Sequence, residues 1–247
     1  NFKNEEFDTR VHVNTLGLRD DEESLKNPKI IFLGDSYTMG WGVNQEESFP
    51  QIFENITKLK TLNAGISSYG TVRELKILKK IISAETQFIF IQYTGNDFLE
   101  NKSFYTDGFL EISSKEKYYE SIKKLEKKGY RFGEYAKMLI HLLWSKVTSK
   151  FKNLTDNINK VEASEVKAKY FINVLEKSGI GSRGPKIIVF SVEGYNKNNP
   201  GFIQDLSYLL EGTPLGDKVY PVDVSSILNQ DDYFKIDAHI NKEGHRK

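Results

Sequence analysis

Hydrophobic positions along this chain alternate between two spacings. Short strand-like runs occur at Ile30–Leu33, Lys60–Asn63, Phe88–Tyr93, Lys186–Val192 and Val219–Val222. The first of them, in the apolar, β-branched stretch Lys29–Leu33, reads as a buried parallel strand. Between them, apolar residues recur every three or four positions, which predicts helices over Glu46–Thr57, Thr71–Ser83 and Gly201–Leu210, and within a long charged stretch from Lys115 to Lys177. Strand and helix in alternation predict a parallel sheet covered on both sides. The expected fold class is therefore α/β, a three-layer α/β/α arrangement around a five-stranded parallel sheet.

The spacing of the runs is uneven. Residues 99–185 separate the third strand from the fourth, and they carry many Lys and Glu at helical spacing with apolar positions such as Leu139, Ile140, Leu142, Leu143 and Trp144. We read this stretch as two or three helices inserted into one domain spanning 1–247. Charge patterning of this kind belongs to a solvated helical cap. Long inserts also form lids over binding sites. No internal repeat or low-complexity segment is evident.

Composition narrows the function classes. The apolar fraction is 38%, with 16 Phe and 13 Tyr, enough for a sizeable core. The 35 basic and 34 acidic residues are interspersed and leave a net charge of +1, so nothing calls for a nucleic-acid partner. The absence of cysteine removes disulfides, thiolate zinc sites and a Cys nucleophile. No stretch reaches the roughly 18 apolar residues of a membrane span. The sequence opens at Asn1 without Met and stops at Lys247 where a helix is beginning, so a trimmed form is expected.

Four segments carry candidate chemistry. Gly34-Asp35-Ser36 follows the first sheet strand. Asn63-Ala64-Gly65-Ile66-Ser67-Ser68-Tyr69-Gly70 follows the second, and Thr94-Gly95-Asn96-Asp97 the third. Asp237-Ala238-His239 lies near the C-terminus. Open α/β sheets bind ligands at the carboxyl ends of their strands, where the first three segments converge. The helix predicted from Glu46 would also turn its positive N-terminal end toward Ser36. Acyl transfer needs a nucleophile, a base and N–H donors aimed at an oxyanion. Ser36 supplies the hydroxyl, His239 the base, and Asp237 can fix the imidazole tautomer. Donors are available from the Ser36 N–H, a backbone N–H in the Gly65–Gly70 turn and the Asn96 amide. Asp35 and Asp97 satisfy turn N–H groups. Each part alone also has a structural reading: a turn for Gly-Asp-Ser and Asn96, a surface or capping residue for His239.

These segments resemble the four blocks of the SGNH (GDSL-type) hydrolase superfamily, whose signature is Ser, Gly, Asn and His. The likeness extends to Asn14-Thr15-Leu16-Gly17-Leu18-Arg19-Asp20, similar to a lead-in of bacterial members, and to Gly40-Trp41-Gly42-Val43 after the nucleophile. It covers roughly 14–97 and 186–245, and the inserted stretch has no counterpart. The resemblance implies a flavodoxin-like sheet, Ser36 as nucleophile, Asn96 as oxyanion donor, His239 as base, and no cofactor or metal. The family's second-block Gly is Ser68 here, which retains a backbone N–H, while Gly65 and Gly70 can supply the tight turn. The usual Asp-x-x-His is Asp237-x-His239, with Asp232 as the fallback acid; His245 is structural. Family habit, with the missing Met and Cys, implies an exported or membrane-anchored location and leaves a cytoplasmic one open.

The implied activity is a serine esterase acting on a carboxylic ester, such as the acetyl ester of a carbohydrate or small molecule. An O-acyltransferase on a cell-surface polysaccharide would use the same residues with a sugar hydroxyl in place of water. A non-catalytic binding module is the third reading. An α/β-hydrolase is disfavoured because the Gly-x-Ser-x-Gly elbow is absent. Gly40-x-Gly42 lacks a dinucleotide motif's third glycine. Asp231, Asp232, Asp237, His239 and His245 match no zinc or calcium spacing.

Overall fold

The computed structural model describes residues 2–108, 114–126, 156–180, 184–194 and 201–247. An antiparallel hairpin, β1 (Phe2–Lys3) against β2 (Asp8–Thr9), opens the chain. Then come β3 (Ile30–Leu33), α1 (Ser36–Met39), α2 (Phe49–Thr57), β4 (Thr61–Asn63), α3 (Thr71–Ile81), β5 (Phe88–Tyr93) and α4 (Gly95–Asp107). Next are α5 (Lys115–Glu126), α6 (Asp156–Ser178), β6 (Lys186–Ser191), α7 (Gly201–Leu210), β7 (Val219–Val222) and α8 (Lys242–Arg246). Asn1–Gly108 and Ser164–Lys247 form one compact unit and Phe109–Ala163 another. In the second unit α5 exposes Tyr118 and Tyr119. The expected apolar positions Leu139 to Trp144 lie outside the described residues.

The main sheet is parallel throughout, in the order β4-β3-β5-β6-β7. Leu62, Ile31, Ile89, Ile187 and Val219 lie in one row across it, all of them buried. Every side chain of β3 is buried, as its unbroken apolar run predicts. The two faces bury different aromatic sets. Phe32 stacks on Phe90 at 4.5 Å and both meet Phe53 of α2. On the opposite face Tyr93 stacks on Phe202 of α7 at 3.8 Å and meets Phe171 of α6 edge-on. Helices on both faces make the three-layer α/β/α fold that strand–helix alternation predicts. The strand order reverses between β3 and β5, and such a switch point opens a crevice at the carboxyl ends of both strands.

Two predicted boundaries near the candidate site differ from the observed ones. A helix over Glu46–Thr57 is expected, but Gln45–Glu47 is a separate 3-10 turn and α2 begins at Phe49. Ser48 between them is extended, and Pro50 in the first turn of α2 has no N–H to continue a preceding helix. The stretch 99–185 also does not begin as an insertion, because α4 starts at Gly95 and runs through Leu99 to Asp107. Thr94 and Asp97 close a capping box there.

The helix α8 is fixed through His245, which is buried and stacks on Phe49 of α2 at 5.6 Å. Its Nδ1 accepts the Phe49 N–H at 3.3 Å, which requires a neutral ring with its proton on Nε2. Burial, followed by the charges of Arg19 and His239, pushes its pKa down to about 3. The unfolded chain therefore takes up a proton below about pH 6.5 that the folded chain refuses. Stability is lost as pH falls from about 6.5 toward the folded value, at up to about 1.4 kcal/mol per pH unit from this group. His245→Gln keeps an acceptor for Phe49 and removes the titration. Urea midpoints at pH 7 and pH 5 should lie closer together in that variant than in the wild type; equal gaps would refute the assignment.

Candidate active site

The chain leaves β3 through Gly34 and Asp35 and enters α1 at Ser36. Asp35 caps this one-turn helix: Oδ1 accepts the Tyr37 N–H at 3.0 Å, and Oδ2 accepts the Thr94 hydroxyl at 3.0 Å from the end of β5. Burial raises the Asp35 carboxyl above its ordinary range against those bonds. Gly40 ends α1 with φ 83°, a left-handed conformation that a side chain disfavours. Beneath it lies Arg19, almost fully buried, whose guanidinium donates to the carbonyls of Met39 (3.1 Å), Gly40 and Val43 (2.6 Å). The segment Asn14–Asp20 is thus a brace for the turn that carries Ser36. The helix start at the nucleophile belongs to α1 and not to a helix from Glu46, which corrects the sequence expectation.

Ser36 and the C-terminal pair meet in one relay. His239 Nε2 lies 2.7 Å from Ser36 Oγ, and its Nδ1 makes a short contact with Asp237 Oδ1. Asp237 Oδ1 also accepts the His239 N–H at 3.0 Å, so the acid holds both ring and backbone of its partner. Burial favours the protonated acid, but bonds from His239 and Trp41 outweigh it and hold Asp237 below the usual carboxylate range. Ser36, Asp237 and His239 are all half-buried. The fallback acid lies elsewhere: Asp232 Oδ2 accepts the Asn229 N–H at 2.7 Å and pairs with Lys247 at 2.8 Å.

The turn after β4 joins the nucleophile segment through its backbone. Ile66 N–H donates to Gly34 O at 3.0 Å, and a Cβ on Gly65 would clash with the Met39 N–H of α1. Gly65 gives its own N–H to Asn63 Oδ1 at 3.1 Å. It therefore sets the close approach of the turn and has no N–H left for an oxyanion. Tyr69 N–H is also taken, by Ile66 O. Among the described residues of this turn, the N–H groups of Ser67, Ser68 and Gly70 remain uncommitted, as does that of Ser36. Ser68 holds φ 63°, unusual for a residue with a side chain. Arg73 secures it by donating to Ser68 O at 2.6 Å, lying over the Tyr69 ring at 4.5 Å and pairing with Glu100 at 2.6 Å. Gly70 packs on Glu100. Asn96 donates one amide hydrogen to Tyr69 O at 3.2 Å, which ties the start of α4 to the same turn.

A buried carboxyl underlies this junction. Asp97 accepts the N–H and hydroxyl of Thr71, each at 2.7 Å, and the Thr94 N–H at 2.8 Å. Burial pushes it up to about 7 against those bonds. It welds the first turn of α3 to that of α4, as the reading of Asp97 as a turn residue expects. A cleft of about 1040 Å³ borders Asp237 and Ala238, walled by the β1–β2 hairpin and the loop at 230–238. It lies behind the acid, since neither Ser36 nor His239 lines it.

Sequence reasoning passed over three residues at this site. Trp41 Nε1 donates to Asp237 Oδ2 at 3.1 Å, with its ring 5.9 Å from that of His239. Tyr37 lies 4.9 Å from the same imidazole and donates its hydroxyl to Ala238 O at 3.1 Å. Glu6 reaches the loop before His239 from the hairpin. Trp41 stood within a quoted motif with no role assigned, and Glu6 has no local signal.

Among the described residues no group of His, Asp or Glu is arranged to hold a metal ion, and no helix is long and apolar enough to cross a membrane. No protein-family model matches the chain, and no curated protein does. Solved structures do. One is a protein of the G-D-S-L lipolytic family from Desulfitobacterium hafniense DCB-2, 13% identical, covering 89% of this chain and 94% of its own, with a TM-score of 0.48. Another is the lipase Lip_vut3 from a goat rumen metagenome, 17% identical, covering 89% and 92%, with a TM-score of 0.47. A third is AlinE4, an SGNH-hydrolase family esterase, 16% identical, covering 87% and 86%, with a TM-score of 0.43. The solved structures to which this chain is similar include members of the SGNH superfamily that its four sequence blocks resemble.

Proposed function

We propose that this protein is a serine esterase that cleaves a small carboxylic ester, such as the acetyl ester of a carbohydrate, through an acyl-enzyme on Ser36. The observation that carries this reading is the continuous Ser36–His239–Asp237 relay. It sits at the switch point of a parallel sheet and joins residues about 200 positions apart in sequence. Ser36 Oγ attacks the ester carbonyl as His239 Nε2 takes its proton. Asp237 holds the imidazole with its Nδ1 proton facing the acid and stabilises the imidazolium that forms. The negative charge on the carbonyl oxygen is met by the N–H groups of Ser36 and of the Ser68–Gly70 turn, and by the free amide hydrogen of Asn96. His239 then protonates the departing alcohol, and a water activated by the same nitrogen releases the acid.

A fluorophosphonate tests this assignment without knowledge of the substrate. The reagent should add once per chain, with peptide mapping placing it on Ser36, and His239→Ala should slow the addition severely. Labelling spread over several serines, or none, would sink the reading.

A further inference from the structure

Resting on that reading, we propose that Glu6 is a positioning residue for the reaction: the β1–β2 hairpin holds the Asp237–His239 loop in its working place through the Glu6 carboxylate. Three consecutive backbone N–H groups, those of Lys235, Ile236 and Asp237, donate to Glu6 at 2.6, 2.9 and 2.9 Å. Burial disfavours the charge, yet these three bonds outweigh it and keep Glu6 below its ordinary range. A charged acceptor on consecutive N–H groups forms hydrogen bonds stronger than neutral ones. The third donor belongs to the acid of the relay itself.

The hairpin is built to present that carboxylate. Asn4 Oδ1 accepts the N–H groups of Glu6 and Phe7 at 2.7 and 3.0 Å, which fixes the turn. Phe2 packs on Trp41 at 4.2 Å with the rings tilted by 33°, and Phe7 packs on Phe234 at 5.1 Å. Trp41 in turn donates to Asp237 Oδ2, the carboxylate oxygen that His239 does not use. Glu6 thus grips the Asp237 backbone while the rings of the same hairpin steady the indole that grips its side chain. Loop 234–239 is also tied by the Phe234 N–H to His239 O at 3.0 Å and by the Tyr37 hydroxyl to Ala238 O at 3.1 Å, but neither bond holds the Asp237 backbone. Without Glu6 the three N–H groups turn to water and the loop loses its fixed register against Ser36.

The test uses the full chain. Glu6→Ala should lower kcat on p-nitrophenyl acetate by about 10- to 100-fold, the scale of a misplacement of about 1 Å at a reacting group. KM should change by less than about twofold, since no substrate contact is removed. Glu6→Gln keeps one acceptor oxygen and should recover part of the loss. Lys3→Ala breaks only an exposed pair in the same hairpin and should behave as wild type. A second readout needs no turnover: the far-downfield Nδ1 proton of His239, assigned by its loss in His239→Gln, should broaden or vanish in Glu6→Ala. Wild-type kcat with an unchanged resonance in Glu6→Ala overturns the proposal. So does an equal loss in Lys3→Ala, which would make the hairpin merely structural. If Glu6→Ala does not fold, Glu6→Gln decides, with an unchanged kcat and resonance overturning the proposal. Failure of the wild type to hydrolyse the ester or to be labelled on Ser36 strikes the esterase reading instead, and the resonance still tests Glu6.

Discussion

Ser36→Ala is expected to lower kcat on p-nitrophenyl acetate by about a millionfold, the scale seen when a triad serine is removed. The variant has no group to carry the acyl intermediate, and His239 Nε2 loses the hydroxyl it meets at 2.7 Å. His239→Ala should cost about as much, and the double variant should be no worse than either single one, because members of a relay act as a unit. The small remainder reflects oxyanion donors and binding, which both variants keep. Stability should barely move, since among the described residues Ser36 Oγ is bonded only to His239. A drop of less than tenfold in Ser36→Ala would remove the acyl-enzyme from the mechanism.

The second large effect separates two acids. Asp237→Asn should lower kcat by about ten-thousandfold, because an amide in place of the carboxylate favours the wrong imidazole tautomer. The Asp237 carboxyl lies below its ordinary range, so in the wild type the acid stays charged as pH falls through that range. Asp232→Asn should leave kcat near wild type and cost about 1 kcal/mol of stability, through the weakened cap at Asn229 and the broken pair with Lys247. Kinetics and thermal melting on both variants decide the matter. The opposite pattern, with activity lost in Asp232→Asn and kept in Asp237→Asn, would move the relay acid to position 232.

The central strands were readable because buried parallel strands are written as apolar runs, as at β3 (Ile30–Leu33) and β6 (Lys186–Ser191), whereas β4 (Thr61–Asn63) and the half-exposed edge strand β7 carry weaker signals. The three-layer architecture follows from the helices between them. Of the candidate site, the parts that stood out in the sequence are those that follow strands: Ser36, the Ser68–Gly70 turn and Asn96. What escaped has physical reasons. A four-residue helix such as α1 has no periodicity to detect, so its start at Ser36 was credited to a helix ten residues later. The break at Ser48 was signalled by Pro50 but overridden by the apolar spacing around it. The start of α4 was written in Thr94-x-x-Asp97, a capping box that reads equally well as a loop. Gly65 showed as a turn glycine, but the commitment of its N–H to Asn63 depends on tertiary placement. Glu6 was invisible because a carboxylate among solvated charges gives no sign that its partners lie about 230 residues away.

That distance bears on when the candidate site forms. Ser36 and His239 are 203 residues apart in sequence, and Glu6 and Asp237 are 231 apart. Contacts of such long range carry the greatest loop-closure entropy and are made late in folding. The sheet can assemble from neighbouring βα units while the relay is still open. Under the proposed function, ester hydrolysis is expected to report on complete folding: a refolding chain should regain its helical signal first, and a chain loosened by denaturant should fall silent before its strands come apart.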